Sequence, residues 1–297
     1  PVLTVTSADV GEKVLGVFLS YACHCTSYSP PKKGFHGDWA GAAAMTVESR
    51  HPDSVALVAA GCGADANPDP RTAEAGPFIV KHGNEIADQV DAILADHERT
   101  FRLTAPPKCL TQTVQLPLAS QPDRKDLESW VAGKDQRRSF YGQIWLDRID
   151  AGEAVSGEFD YLIQTWQFPG EDGKNLTTAF LPGEVTSGYS LRIKKELNTQ
   201  DRRNWVIGYA NESPCYITTA KEIFEGGYEV EQSMVSYDKP STLAPETEDI
   251  IVNAVAGLAG GRPDKSAKSV PPRPRPNDEP LTPDEAIASM HTKPGLK

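Results

Sequence analysis

The amino-acid sequence predicts an α/β fold, a mixed β-sheet core flanked by helices. Three observations carry that reading. Up to His97, segments of strand type and helix type alternate, the pattern of an α/β unit. "SVALVAAGC", Ser54–Cys62, is a short continuous apolar run bounded by turn residues, as in a buried strand. "FDYLIQTWQF" and "LTTAFLPGE" are strand-type runs joined by "PGEDGKN", a hairpin-type turn.

Taken in order, Val2–Thr6 and Lys13–Ala22 are predicted to be the first two strands. Asp38 precedes "WAGAAAMTVESRH" and offers the short polar side chain that a helix N-cap needs. After the buried strand, Ile79, Ile86, Val90, Ile93 and Leu94 fall on one helical stripe, which predicts a helix from about Thr72 to His97. "LTQTVQLPL", Leu110–Leu118, reads as a strand, and Asp123 to Ile149 as helical, with doubtful positions around Gly133 and Gly142. "SGYSLRIKKEL" is a helix and "NWVIGYANE" a second buried strand. "PETEDIIVNAVAGLAGG" closes the domain as a helix stopped by glycine.

Composition bounds the function. The chain of 297 residues carries a net charge of −11, which argues against a nucleic-acid partner, since that would need a basic surface. Its mean hydropathy is −0.43, and no run approaches the ~20 apolar residues of a membrane span. Five cysteines, an odd number without small-scaffold spacing, do not suggest a disulfide framework. Cys62, Cys109 and Cys215 are expected to act as small apolar residues. Residues 1–262 are expected to form one domain. From Pro263 onward, eight of the last 35 residues are proline, so 263–297 reads as a linker. Thr282, Pro283 and Glu285 then set a capping box for one short helix, and a fused C-terminal domain is expected to follow it.

Candidate chemistry sits at strand ends, where open α/β sheets bind ligands. "SYACHCT" sets His24 between Cys23 and Cys25. If the strand runs through Cys25, alternate side chains face opposite ways and the three cannot close on one ion. His24 alone is either a core histidine with one hydrogen bond or a residue aimed at a site. "GCGADANPDPR" follows the buried strand, with small residues that let a ligand approach, polar Asp65 and Asn67, and Arg71 to pair with an anion. It reads equally as a tight turn with Asp65 as a helix cap. Glu184 in "LPGEVTSGYS" is a metal ligand or a favourable charge at a helix N-terminus. "GYANESPCYITT" places Tyr209, Asn211 and Tyr216 in a polar loop. Several such loops together make a stronger case than any one, since a metal site gathers ligands from separate loops.

These segments resemble the neutral/alkaline non-lysosomal ceramidase family, and more closely its bacterial, planctomycete-type members. "FLSYACHCTSY" is similar to the family's strand ending in a metal-binding histidine, and "HGDWAGAAA" to its next loop and helix. "LPGEVTSGYSLRIKKEL" is similar to the segment with the metal-binding glutamate, and "NWVIGYANESPCYITTAKEIFEGGYEVEQSM" to the one with the metal-binding tyrosine. The resemblance covers about Pro1 to Gly261 and implies zinc, with His24, Glu184 and Tyr216 as ligands, a set that suits a borderline cation. The family's further histidine would lie before Pro1, so the domain is expected to be incomplete at its N-terminus. The resemblance also implies a small-molecule N-acyl, sphingolipid-like substrate and a periplasmic or secreted location. Asp65 and Asn67 fall on the catalytic loop, and Arg71, Tyr209 and Asn211 are substrate-binding candidates. The family's serine falls at Asn67, whose amide cannot act as a nucleophile. Water activated by the ion would then attack, with Asn67 donating to the developing oxyanion, a contribution of ~3 kcal/mol. The alternative is a non-catalytic binding module that kept the scaffold and lost the nucleophile.

Overall fold

The computed structural model describes residues 1–6, 13–28, 35–69, 76–96, 98, 100–153 and 155–260. Segment 263–297 and Arg71 lie outside the described residues. Two main sheets, a third of only two short strands, and flanking helices give the α/β architecture that the alternating segments predict.

The first sheet holds β1 (Val2–Thr6), β2 (Val14–Tyr21) and β3 (Val55–Ala60) in the order β1-β2-β3. β1 runs antiparallel to β2, and β2 parallel to β3 from Gly16↔Val55 to Tyr21↔Ala60. The parallel pair needs a crossover, supplied by α1 (Asp38–Arg50). The period of two then sorts the side chains. Val17, Leu19 and Ala56 pack with Val47 of α1 and with Ala87 and Val90 of α2 (Gly76–Ala95). Phe18 and Ala59 turn the other way, onto Phe180, Trp205 and Ile207 of the second sheet.

That second sheet has the order β4-β5-β6-β8, with β4 (Lys108–Pro117), β5 (Glu158–Pro169), β6 (Asn175–Phe180) and β8 (Arg202–Ile207). β4, β5 and β6 are antiparallel neighbours, and β6 pairs parallel with β8. Between β6 and β8 lie β7 (Glu184–Val185) and α5 (Ser187–Leu197). The main core packs this sheet against α5 and, after the short α6 (Ala220–Glu225), against α7 (Thr247–Leu258), with Ile193, Ile251 and Val255 fully buried. A satellite core joins α3 (Arg124–Ala132) and α4 (Gln136–Asp150) around Leu127 and Trp145.

Several local expectations are corrected. Asp38 does not cap α1 from outside. It is the first helical residue, with φ +53, and Gly37 precedes it as N-cap. The Asp38 carboxylate, buried, accepts from the Tyr28 and Trp39 amides, so it ties the preceding loop to the helix start. The helix predicted from Asp123 to Ile149 is two helices, broken where Gly133 caps α3 and Asp135 begins α4 by accepting from the Arg137 and Arg138 amides. β3 is an edge strand, and its Val55 and Leu57 are exposed at the end of the sheet that the second sheet does not reach. Cys109 is exposed, because it lies on the outer strand β4, whereas Cys62 and Cys215 are buried as expected.

Candidate functional site

Strand ends from both sheets meet at one place. Gly61 bridges to Ile207, and the Gly208 amide donates to the Ala60 carbonyl at 3.2 Å, stitching the end of β3 to the end of β8. The Ala64 amide donates to the Val185 carbonyl at 3.2 Å, which adds β7 to the seam. Loops leaving β2, β3, β6 and β8 therefore share one small region.

His24 stands three residues beyond β2, which ends at Tyr21 rather than running to Cys25. The chain there is held by the loop after β3 instead of by a strand partner. The His24 amide donates to the Ala66 carbonyl at 2.9 Å. Gly63 makes this contact feasible, because a Cβ at that position would lie 2.3 Å from backbone atoms of Ala22 and Cys23. With the strand ended, Cys23 is buried and Cys25 exposed, and neither is in a disulfide.

Glu184 is placed by a different device. Gly183 adopts φ +80, and a Cβ there would lie 2.5 Å from the Cys215 carbonyl oxygen. That turn lets β7 pair parallel with β9 (Tyr216–Ile217), so Glu184 and Tyr216 are direct partners in register. Tyr209, just past β8, has φ +55, a left-handed conformation rare for a bulky residue and held here by its amide bond to the Gly183 carbonyl at 2.8 Å.

The side chains converge. His24 Nδ1 lies 3.9 Å from Glu184 Oε2, with both side chains largely buried. The Tyr209 hydroxyl donates to Glu184 Oε2 at 3.1 Å and sits 3.2 Å from His24 Nδ1. Tyr237 donates to Glu184 Oε1, and Tyr216 stands beside the same carboxylate as the register partner of Glu184. The Tyr216 ring packs edge-on to His24 at 6.4 Å between centroids. Burial first, and then the Glu184 charge, push the phenols of Tyr209 and Tyr216 well above the ordinary tyrosine range. Tyr237 is raised by burial and by its bond to Glu184.

The imidazole has a defined tautomer. His24 Nε2 is 2.8 Å from the Ala64 carbonyl, which can only accept, so Nε2 carries the proton and donates. Nδ1 then presents a lone pair toward Glu184. A histidine that gives its other N–H to a backbone carbonyl has the arrangement common to metal ligands. Acceptors outnumber protons here: the single Tyr209 hydrogen serves Glu184 and leaves Nδ1 an acceptor beside a carboxylate. A divalent cation fits that donor set. Among the described residues no three side chains drawn from His, Cys, Asp and Glu gather together, so a cation held here would also draw on tyrosine oxygen. Its charge would oppose the effect of Glu184 on a bound phenol.

The remaining sequence candidates are placed as follows. Asp65 is next to this cluster in the chain but faces α5. Its two carboxylate oxygens accept from the Ser187 amide at 2.7 Å and the Ser187 hydroxyl at 2.6 Å. Asn67 is exposed on the same loop, and its Oδ1 accepts from Thr26 at 3.0 Å. Asn211 is exposed with φ +64 in the turn between β8 and β9. Tyr237 was not legible as a site residue. It reaches Glu184 from 53 residues further along the chain, out of a short helical turn, Met234–Tyr237, with no motif around it.

Similarity searches add the fold. No protein-family model matches the chain, and no curated protein matches it in sequence. Among solved structures it is similar to the neutral ceramidase from Pseudomonas aeruginosa, with a TM-score of 0.59 at 16% identity over 91% of this chain. It is similar also to a ceramidase complexed with C2, with a TM-score of 0.60 at 14% identity over 91% of this chain. The fold is ceramidase-like. The chain spans about half the length of those ceramidases, 48% and 49%. A ceramidase-like fold thus carries His24, Glu184, Tyr209, Tyr216 and Tyr237 at the seam between its two sheets.

Proposed function

We propose that the protein is a zinc-dependent hydrolase of a linear amide bond, ceramidase-like, acting on an N-acyl, sphingolipid-like substrate. The observation that carries this reading is the approach of His24 Nδ1 to Glu184 Oε2 at 3.9 Å within a ring of phenols. The resemblance to ceramidases in sequence motifs and in fold supports it. His24, Glu184 and Tyr216 would hold the ion. Zinc, when bound, supplies a Lewis acid that polarises a carbonyl and lowers the pKa of water.

The chain's own groups have separable tasks in this reading. The Ala64 carbonyl fixes the His24 ring, and Tyr209 and Tyr237 fix the two oxygens of Glu184. Thr26 holds the oxygen of the Asn67 amide, which turns the chemistry of that side chain toward donation from its NH2 to a developing oxyanion. Asp65 acts as a positioning residue, because its bonds to Ser187 hold the catalytic loop against α5. Tyr209 and Asn211 would line the substrate side, and Arg71 is a further substrate-binding candidate by its place in the sequence. A periplasmic or secreted location accompanies this reading, and no helix among the described residues is long and apolar enough to cross a membrane.

One observation favours a second reading. Asn67 stands where a nucleophilic serine is expected, so a binding module without turnover would look the same in its scaffold. A panel of N-acyl substrates with added zinc separates the two. The hydrolase reading expects turnover that a chelator stops, and loss of both zinc and turnover in Glu184→Gln. Saturable substrate binding without turnover would establish the binding module. Undiminished zinc content and hydrolysis in Glu184→Gln would overturn the assigned ligand set.

A further inference from the structure

The helical turn that carries Tyr237 is held at its two ends by different parts of the molecule. Met234 and Val235 begin it and are buried, Met234 in the main core. From Ser236, which is exposed, the chain comes out of that core. Asp238 closes the turn at φ +54, a left-handed conformation that aspartate tolerates better than most residues.

The second hold comes from α4. Arg137 Nη1 donates to Ser236 Oγ at 3.0 Å, and the Tyr141 hydroxyl donates to the Ser236 carbonyl at 3.4 Å. Trp145 Nε1 donates to Asp238 Oδ1 at 2.8 Å, and Arg148 Nη1 lies 2.8 Å from Asp238 Oδ2. Positions 137, 141, 145 and 148 follow the helical period, so these side chains form one stripe of α4. The stripe grips the residue before Tyr237 and the residue after it. Its members are unequal. The Arg148–Asp238 pair is 42% and 39% exposed and contributes little by itself. Trp145 is 1% exposed, and a buried indole N–H without an acceptor is costly. Asp238 is its acceptor, so the turn cannot leave α4 without stranding that donor.

We infer that α4 is the positioning element of the candidate site, with Trp145, Arg148 and Asp238 as positioning residues that keep the Tyr237 hydroxyl on Glu184 Oε1. This rests on the zinc reading of Glu184 and deepens it. The orientation of the proposed ligand carboxylate is set by a helix that shares no residue with the ligand set.

The test uses the whole chain with Trp145→Phe and Arg148→Gln together, changes confined to α4. The first readout needs no metal. The Asp238 amide donates to the Val235 carbonyl at 3.2 Å and the Lys239 amide to the Met234 carbonyl at 3.0 Å. Both should exchange their hydrogens at least about tenfold faster than in the unaltered protein, while amides of β8 keep their rates. The second readout is zinc affinity by competition with a chromophoric chelator. It should weaken about fivefold, and adding Tyr237→Phe should give no more than the loss from Tyr237→Phe alone, because both act through one hydroxyl. A second pair, Arg137→Gln with Tyr141→Phe, keeps the aromatic rings of the satellite core and should show the same pattern if the first pair does not fold. Unchanged exchange at Asp238 and Lys239, or losses of affinity that simply add, would overturn the inference. An unaltered chain that binds no zinc, with exchange still quickened by the α4 changes, would overturn the metal reading and leave the hold of α4 on Tyr237 standing.

Discussion

Glu184 receives hydroxyl hydrogen bonds on both of its oxygens, and it is the residue on which the cluster turns. A carboxylate held by two phenols has little rotational freedom, so its orientation is set before any ligand arrives. Removing one of those phenols should therefore be felt by a metal without removing a ligand. Tyr237→Phe is expected to weaken zinc binding about tenfold while leaving the fold intact, measured by competition with a chromophoric chelator and by circular dichroism. Unchanged affinity would mean that Tyr237 only fills space. From the residues alone His24 reads also as a core histidine and Glu184 as a charge at a helix start; the family resemblance is what groups them with Tyr216. Tyr237 was not legible, because its only relation to Glu184 is spatial.

At the scale of elements, two devices hold α5 where its N-terminus meets the loop after β3. One is Asp65, which satisfies the Ser187 amide, one of the donors a helix start leaves unpaired. Asp65→Ala should cost about 1 kcal/mol in chemical denaturation. A cost near zero would show that the loop is held by other contacts. The other device is Arg192, which bonds Glu196 at 2.7 Å, Glu248 at 2.8 Å and Asp249 at 2.6 Å and so clamps α5 to α7. The side chains of Glu196 and Glu248 are 7% and 12% exposed, so removing their cation leaves charge stranded away from water. Arg192→Met is predicted to cost about 3 kcal/mol by urea unfolding. The segment "RIKKEL" is rich in charge, yet its arginine is a largely buried clamp between two helices. Only the packing of α7 beside α5 reveals it.

For the molecule as a whole, the two sheets meet at their strand ends, and the interior beneath the site is sealed by tyrosines. Tyr161 donates to the Pro182 carbonyl at 2.8 Å and Tyr189 to the Thr218 carbonyl at 3.3 Å, and both are fully buried. Burial raises both phenols well above the ordinary value. In the unfolded chain they ionise near pH ~10. The folded protein thus retains protons that the unfolded chain releases, and the stability they contribute is intact below pH ~10 and falls as pH rises beyond it. Alkaline titration followed by tyrosinate absorbance should show Tyr161 and Tyr189, together with the raised Tyr209, Tyr216 and Tyr237, failing to ionise with the other tyrosines near pH ~10, and the two buried ones ionising only as circular dichroism reports unfolding. Ionisation of all nine tyrosines near pH ~10 in the folded protein would contradict the burial.

The sequence by itself determined the α/β class and the order of most elements, and it marked the segments that contain His24, Glu184 and Tyr216. Those features follow from periodicity, turn chemistry and short motifs, which act over a few residues. Tertiary structure decided that β2 stops before the cysteines, that Asp65 serves a helix 122 residues away, and that Tyr209 and Tyr237 share one carboxylate. The physical reason is that such relations depend on two sheets approaching closely enough for Gly63 and Gly183 to lie against foreign backbone. No local pattern encodes that distance. It is fixed only when the whole core packs.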